Sequence, residues 1–243
     1  MKDDIYGISK WGKSFFKILS NGNLGLLNPQ KTNNQPVDLI SVIKSLNKKL
    51  SPPYIIRVAD YLEHKVNEIN ISFNKSIKDL GYKNKFLSIY PIKVNQQSQV
   101  VKNVVKFGKK YNSGLEVGSK AELLIALSQD LPKNSLIICN GTKDEEFINL
   151  SLLANKIEFK TVIVIESLKE LDLIIKICTS LKVKPILGIR IKLTNVISGK
   201  WSQSSGDRSA FGLPVNKITE ALSKLKRNKL IDCLVLQHSH LGS

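Results

Sequence analysis

Cysteine is scarce in this 243-residue sequence, and its three residues, Cys139, Cys178 and Cys233, each lie in an apolar run. An odd number of cysteines without close spacing argues against a disulfide framework and against a zinc site. The sequence therefore predicts buried, reduced thiols in a cytoplasmic protein.

Long hydrophobic runs are also missing. No segment approaches the roughly 18 uninterrupted apolar residues of a membrane-spanning helix. The opening stretch, "MKDDIYGISKWGK", lacks the apolar centre of a signal peptide. We expect no membrane partner.

Arginine is rare although the chain is strongly basic. Only four of the 37 basic residues are arginine, which leaves 33 lysines, and the formal net charge is +17. Nucleic-acid sites usually cluster their charge and favour arginine for phosphate, whereas these lysines are scattered over the whole length. The pattern indicates solvated faces, and a basic nucleic-acid-binding module stays open as an alternative.

The first 50 residues differ from the rest. Strand-favouring residues flank the turn signal Asn21–Gly22, which predicts a hairpin of residues 15–19 and 24–27. Residues 37–50 show helical spacing, and "SPP" at 51–53 interrupts it. We therefore divide the chain into an N-terminal β-hairpin and helix segment, residues 1–50, and a second domain, residues 51–243.

Apolar runs and amphipathic segments alternate through the second domain. This order predicts parallel βα units, since parallel strands need a crossover. The predicted strands are 86–92, 113–117, 136–139, 161–165, 186–191 and 234–240, and the predicted helices are 97–110, 119–129, 143–154, 167–181 and 214–227.

Two architectures fit such units, an open doubly wound sheet and a closed barrel. No glycine-rich phosphate motif follows the first strand, which weakens the open nucleotide-binding sheet. Six units predict an α/β fold with a partial (β/α)8 TIM-type barrel, in which active sites lie at the carboxyl ends of the strands. Polar side chains lie at the carboxyl ends of the predicted strands: Lys93, Glu116, Asn140, Glu166, Arg190 and His240.

Lys93 stands out because it directly follows the first of these strands. A lysine in a pocket that lowers its pKa offers a neutral amine, which suits a covalent link to an aldehyde cofactor. Taken alone, however, one lysine among 33 is more simply a solvated strand end.

Six motifs, in the right order, resemble the biosynthetic arginine decarboxylases, which are pyridoxal-phosphate enzymes on an alanine-racemase-like barrel. The N-terminal "YGISKWGKSFF" also fits that family's opening. The motifs are "YPIKVNQQ" (90–97), "GLEVGSKAELLIAL" (114–127), "ICNGTKDEEFI" (138–148), "GIRIKL" (188–193), "SGKWSQSSGDRSAFGL" (198–213) and "HSHLGS" (238–243).

The resemblance implies roles for single residues. Lys93 matches the lysine that binds pyridoxal phosphate covalently, and His240 matches the histidine that stacks on the pyridine ring. Ser243 matches a serine near the cofactor phosphate, Arg190 an arginine beneath the cofactor, and Glu116 an acid that orients the lysine and the arginine.

Other readings of these side chains stay open. Glu122 resembles a second orienting acid. Arg190 and Glu116 could instead form a buried structural ion pair. His240, taken alone, would be an ordinary interior histidine, and we expect its neighbour His238 to face the opposite side of the strand.

The resemblance also implies an activity and partners. It implies decarboxylation of L-arginine to agmatine in polyamine and spermidine biosynthesis, with pyridoxal phosphate as cofactor, a magnesium association and a homo-oligomeric full-length enzyme. No metal-ligand cluster is visible in the sequence. A pyridoxal-phosphate-binding barrel without turnover is the second hypothesis.

The sequence departs from the family pattern in several places. Ala210 stands where the family usually has lysine, and Ser98 where it has arginine. The family's glycine-rich phosphate loop, the acid that faces the pyridinium nitrogen and the β-rich second domain find no counterpart here. We therefore expect the isolated chain to be a truncated N-terminal portion without normal decarboxylase activity.

Overall fold

The structure, a computed structural model, describes residues 5–12, 14–28, 35–46, 51–193 and 211–240. Its contacts divide the chain into two compact units, Met1–Asn84 and Lys85–Ser243. The predicted domain boundary after residue 50 stays a prediction.

The first unit contains the predicted hairpin. Strands β1 (Phe16–Ile18) and β2 (Leu24–Leu26) pair antiparallel across the Asn21–Gly22 turn, and a short third strand pairs with β2. The helix predicted from residue 37 begins two residues later, because Asp38 accepts the Ile40 N–H at 2.9 Å and so caps it. The long helix α3 was not predicted. The elements are α1 Ile8–Trp11, β1 Phe16–Ile18, β2 Leu24–Leu26, β3 Val37–Asp38, α2 Leu39–Ser45 and α3 Ala59–Asp79.

The second unit is a curled, six-stranded parallel sheet with helices between its strands. The strands are hydrogen-bonded in chain order, which confirms the predicted α/β partial barrel. The elements are β4 Ile89–Pro91, α4 Ser98–Gly108, β5 Gly114–Val117, α5 Lys120–Leu127, β6 Leu136–Cys139, α6 Glu145–Lys156, β7 Lys160–Ile165, α7 Leu168–Leu181, β8 Ile186–Ile191, α8 Val215–Arg227 and β9 Leu234–Ser239.

The two faces of this sheet bury different side chains. Alternate residues of the strands pack with the helices in two large apolar clusters. The opposite face carries a smaller cluster centred on Ile138, Val162 and Val164. We call this opposite face the inner face. Because successive side chains alternate between faces, polar residues an even number of positions along the strand from these three also project from the inner face, at the strand ends.

The first parallel strand is shorter than predicted. Residues 86–92 were expected to be extended, but pairing with β5 runs only from Ile89 to Pro91. A 3-10 turn, Ile92–Val94, follows at once. Lys93 therefore lies in a turn beyond the strand and not on the strand itself.

Candidate active site

The turn that carries Lys93 is held on both sides. Ile92 is completely buried among the side chains of α4, α5 and β5. The Tyr90 hydroxyl donates to the Asn95 carbonyl at 3.2 Å, which closes the chain around the lysine. Gln96 donates to Glu122 Oε1 at 3.0 Å and ties the turn to the next loop. These contacts fix the backbone of Lys93 while its side chain stays 60% exposed.

Glu116 is the acidic neighbour of Lys93. It lies on β5 beside Pro91, the last residue of β4. The Lys93 Nζ is 3.8 Å from Glu116 Oε1, and the carboxylate is largely buried while the amine is accessible. The pair combines a fixed negative charge with a reachable amine. The orienting role that the resemblance implies for Glu116 stays a prediction.

Arg190 pairs with Glu166 and not with Glu116. The Arg190 Nη1 lies 3.3 Å from each oxygen of the Glu166 carboxylate. The suggested Arg190–Glu116 ion pair was therefore wrong. Two strands separate β5 from β8 in the sheet, whereas Glu166 directly follows the adjacent strand β7. Sheet order, which periodicity does not reveal, decided the partner.

A phenylalanine covers the Arg190 guanidinium. The Arg190 Cζ lies 5.2 Å from the centre of the Phe211 ring, within the range of a cation–π contact. Leu213 pairs with the backbone of β8 at Arg190, and Gly212 (φ +85°) permits the close approach. Arg190 is thus held by an acid and by an aromatic ring.

His238 and His240 lie on the same side of β9. Side chains two residues apart on a strand share a face, and the two rings are 6.5 Å apart in an edge-on arrangement. The prediction that they face opposite sides was wrong for this reason. His240 is exposed just beyond the strand, while His238 is half-buried beside Arg190.

Burial, followed by the positive charge of Arg190, lowers the pKa of His238 below its ordinary value. His240 acts in the same direction, and the carboxylates of Glu116 and Glu166 oppose the shift. Glu116 is four strands from His238, about 19 Å along a flat sheet, a distance at which charges are largely screened. Because Glu116 nevertheless acts on His238, we infer that the curl of the sheet brings β5 closer to β9 than a flat sheet would.

The remaining predicted residues have different positions. The Glu122 carboxylate is bound on the Lys93 side of the sheet and not at Arg190. It accepts hydrogen bonds from the Gly118 N–H at 2.6 Å and from the Gln96 side-chain amide. Ser243 and Ala210 lie outside the described residues. Within the described part of the chain, no three His, Cys, Asp or Glu side chains come together as a metal site.

The described helices include none that is long and apolar enough to cross a membrane.

Comparison with known proteins identifies the family. The sequence model of the family described as "Pyridoxal-dependent decarboxylase, pyridoxal binding domain" matches residues 65–243. The chain belongs to this family. Among the pyridoxal-dependent decarboxylases, it is 42% identical over 239 residues to the biosynthetic arginine decarboxylase of Prochlorococcus marinus (strain AS9601). It is also 42% identical over 240 residues to that of Citrifermentans bemidjiense.

Solved structures of two decarboxylases agree with this chain in fold. The biosynthetic arginine decarboxylase SpeA of Campylobacter jejuni matches 98% of this chain with a TM-score of 0.83 and 36% identity. A diaminopimelate decarboxylase of M. jannaschii shares the fold, with a TM-score of 0.66 over 96% of this chain and 23% identity. The chain spans 37% of the Prochlorococcus relative and 37% of the Campylobacter chain.

The inner face of the sheet fits pyridoxal phosphate. The carboxyl ends of the strands, here called the opening of the half-barrel, carry an accessible amine, a guanidinium and two imidazoles. These groups suit an anionic aromatic aldehyde. Among the described residues, four buried side-chain atoms have no hydrogen-bond partner, and two of them, Asn140 Oδ1 and His238 Nδ1, lie toward these strand ends. Unpaired buried polar atoms are rare in folded proteins unless a water or ligand satisfies them. The donor set and these two atoms agree with a polar ligand at the opening.

Proposed function

We propose that this chain forms the pyridoxal-phosphate-binding part of an arginine decarboxylase. The proposed reaction removes carbon dioxide from L-arginine to give agmatine for polyamine and spermidine biosynthesis. The similarity to biosynthetic arginine decarboxylases supports the substrate. Because the chain spans little more than a third of these relatives, the reaction is proposed for the whole protein.

Lys93 is the proposed covalent anchor, and the Lys93–Glu116 pair is the observation that carries the proposal. The amine is accessible, its backbone is fixed by the buried Ile92, and Glu116 can accept its proton when it attacks an aldehyde. When bound, pyridoxal phosphate supplies an electron-poor ring that stabilises the charge left by the departing carbon dioxide.

The other residues hold and shield the cofactor in this proposal. Arg190, braced by Glu166 and Phe211, provides a fixed positive charge on the inner face. His240 is exposed at the opening and can stack on the ring, and His238 supports it from below. Magnesium, a homo-oligomeric assembly and a cytoplasmic location remain expectations from the resemblance.

Chemical labelling tests the anchor. The purified chain is incubated with pyridoxal phosphate, reduced with borohydride and mapped by peptide mass spectrometry. We expect the label at Lys93 and its loss in Lys93→Ala. The matched control is Lys109→Ala, which removes a lysine of similar exposure, 54% against 60%, that pairs with Asp130. A label spread evenly over the 33 lysines would contradict the proposal.

Turnover separates the two cofactor-dependent hypotheses. We expect a whole protein that contains this chain to release carbon dioxide from L-arginine. Loss of this activity in Lys93→Ala would assign the activity to the proposed site. A protein that binds pyridoxal phosphate at Lys93 but leaves L-arginine, L-ornithine and diaminopimelate intact would instead be a binding barrel without turnover.

A further inference from the structure

Lys143 is a lysine whose side chain is completely enclosed. It has no exposed side-chain surface, its Nζ donates to the Gly141 carbonyl, and it lies 3.4 Å from Glu170 Oε2. Lysines are almost never buried without a partner, because removing the ammonium from water is costly. The proposed function gives this residue no role, so its burial needs another explanation.

Glu170, its partner, joins two neighbouring loops. The sequence Ser167-x-x-Glu170 is a capping box at the start of α7, and Ser167 Oγ accepts the Glu170 N–H at 3.2 Å. Glu170 Oε2 accepts the Glu166 N–H at 2.9 Å, one residue before the Ser167 N-cap whose N–H a regular capping box would use. Its other oxygen accepts the Lys143 N–H at 3.0 Å from the loop after β6.

The contacts of Lys143 and Glu170 continue through Gly141 and Glu166 to Arg190. The Gly141 carbonyl binds the Lys143 ammonium, and the Gly141 N–H donates to Glu166 Oε1 at 2.7 Å. The same Glu166 carboxylate holds the Arg190 guanidinium. Glu166 is therefore fixed at its backbone by Glu170 and at its carboxylate by Gly141.

The chain uses the same device a second time. Ser119-x-x-Glu122 has the capping-box spacing at the start of α5, and Ser119 Oγ accepts the Glu122 N–H. The Glu122 carboxylate accepts the Gly118 N–H, again one residue before the N-cap, and the Gln96 side-chain amide from the neighbouring loop. That neighbouring loop carries Lys93. Each capping-box glutamate thus joins its own loop to the one before it, beside a residue of the proposed cofactor site.

We propose that Lys143 and Glu170 are positioning residues, which fix Glu166 and through it the orientation of Arg190 toward the cofactor. The cofactor in this inference comes from the proposed function. The contacts between Lys143, Glu170, Glu166 and Arg190 do not depend on it. Neither residue touches the proposed ligand. Two apolar side chains could fill the same volume, but they could not hold the Gly141 carbonyl in place.

The test uses the single variants Lys143→Met and Glu170→Gln, and the double variant. Each is measured without cofactor by thermal unfolding and by NMR titration of the three histidines. The matched control is Lys120→Met, which removes an exposed lysine that joins the start of α5 to the start of α6 through Asp144 and Glu146. A final measurement compares pyridoxal phosphate affinity.

We expect the single variants to lower the Tm, since each leaves one charge buried and unpaired. The double variant should recover most of this loss. Its His238 pKa should nevertheless rise, as in Arg190→Gln, because the guanidinium no longer stays beside the imidazole. Its affinity for pyridoxal phosphate should fall about tenfold, as expected for a lost charged hydrogen bond in a buried network.

Recovery of the Tm, the His238 pKa and the affinity together in the double variant would show a merely structural pair and overturn the inference. So would equal effects in Lys120→Met. If the unmodified chain forms no adduct at Lys93, the proposed function fails, and the His238 titration still decides whether Lys143 and Glu170 position Arg190.

Discussion

At the scale of single residues, His238 reports most directly on the site. Its imidazole responds to charges on three other strands or their ends, those of Glu116, Glu166 and Arg190, and to His240 on its own strand. A half-buried histidine in such surroundings is a neutral group at neutral pH. It can therefore support the ring of His240 without adding a second positive charge beside Arg190.

The lowered pKa of His238 predicts a loss of stability in acid. The unfolded chain binds more protons than the folded chain between the two pKa values, so stability increases with pH in that interval. We expect the Tm to fall as the pH drops below about 6.5, the ordinary histidine value. In His238→Gln the difference between the Tm at pH 7.5 and at pH 5.5 should be smaller.

The control for this experiment is His64→Gln. His64 packs against Phe15 in the first unit, and it is not among the groups that act on His238. The His64→Gln substitution should leave the difference between the Tm at pH 7.5 and at pH 5.5 as it is in the unmodified chain. An unchanged difference in His238→Gln would mean that other groups cause the acid sensitivity.

Cys139 should be unreactive in the folded protein. Burial raises the pKa of its thiol to about 11, and all three cysteines are free and buried, which confirms their predicted burial. At pH 8 only about one Cys139 in a thousand is then a thiolate, the reactive form. Labelling with a thiol reagent should spare Cys139 in buffer and modify it fully in denaturant. Rapid modification of native Cys139 would argue against the packing of β6.

At the scale of secondary-structure elements, β5 contains a glycine, Gly114, at a position where the neighbouring strands leave no space for a side chain. A Cβ on Gly114 would lie 2.1 Å from the Leu136 carbonyl oxygen of β6 and 2.8 Å from the Ile89 side chain of β4. Overpacking of this kind costs about 3 kcal/mol. Gly114→Ala should therefore lower the free energy of unfolding by about 3 kcal/mol or more in urea titrations followed by circular dichroism.

Gly118→Ala is the matched control for β5. A Cβ there would meet Glu122 Oε2 at 3.5 Å, an ordinary contact distance. We expect a change below about 1 kcal/mol, in line with substitutions that disturb no packed feature. Equal costs for the two alanines would show that the close approach of β5 and β6 is not what constrains Gly114.

At the scale of the whole molecule, the net charge of +17 must be separated from the site. Basic proteins bind polyanions through counterion release, so such binding weakens steeply with salt. We expect weak DNA or RNA binding at low salt and none at about 150 mM salt, measured by fluorescence anisotropy. Tight binding at physiological salt would favour the nucleic-acid-binding alternative.

The order of strands and helices was predictable because each signal is local. Alternating apolar runs located six strands, and the Ser-x-x-Glu spacing at 119–122 and 167–170 marks two helix starts where the structure has them. The helix Ala59–Asp79 was missed. Only one of its residues, Asn70, is fully buried, so its apolar spacing carries little signal.

Partners across the sheet were not predictable in the same way. The sequence placed Lys93, Glu116, Glu166, Arg190 and His240 at strand ends, and the family motifs selected among them. The choice of partner for each basic side chain depends on the order and curl of the strands. In the structure Glu116 pairs with Lys93, and Glu166 pairs with Arg190.

Local patterns and motifs were therefore enough to establish the βα rhythm, the family resemblance and the candidate lysine, because each is written in a short stretch of chain. Tertiary structure alone decided the buried Lys143–Glu170 pair, the support of Arg190 and the burial and charges that lower the pKa of His238. These depend on distances between residues that lie on different strands and loops, and such distances exist only after the sheet has formed and curled.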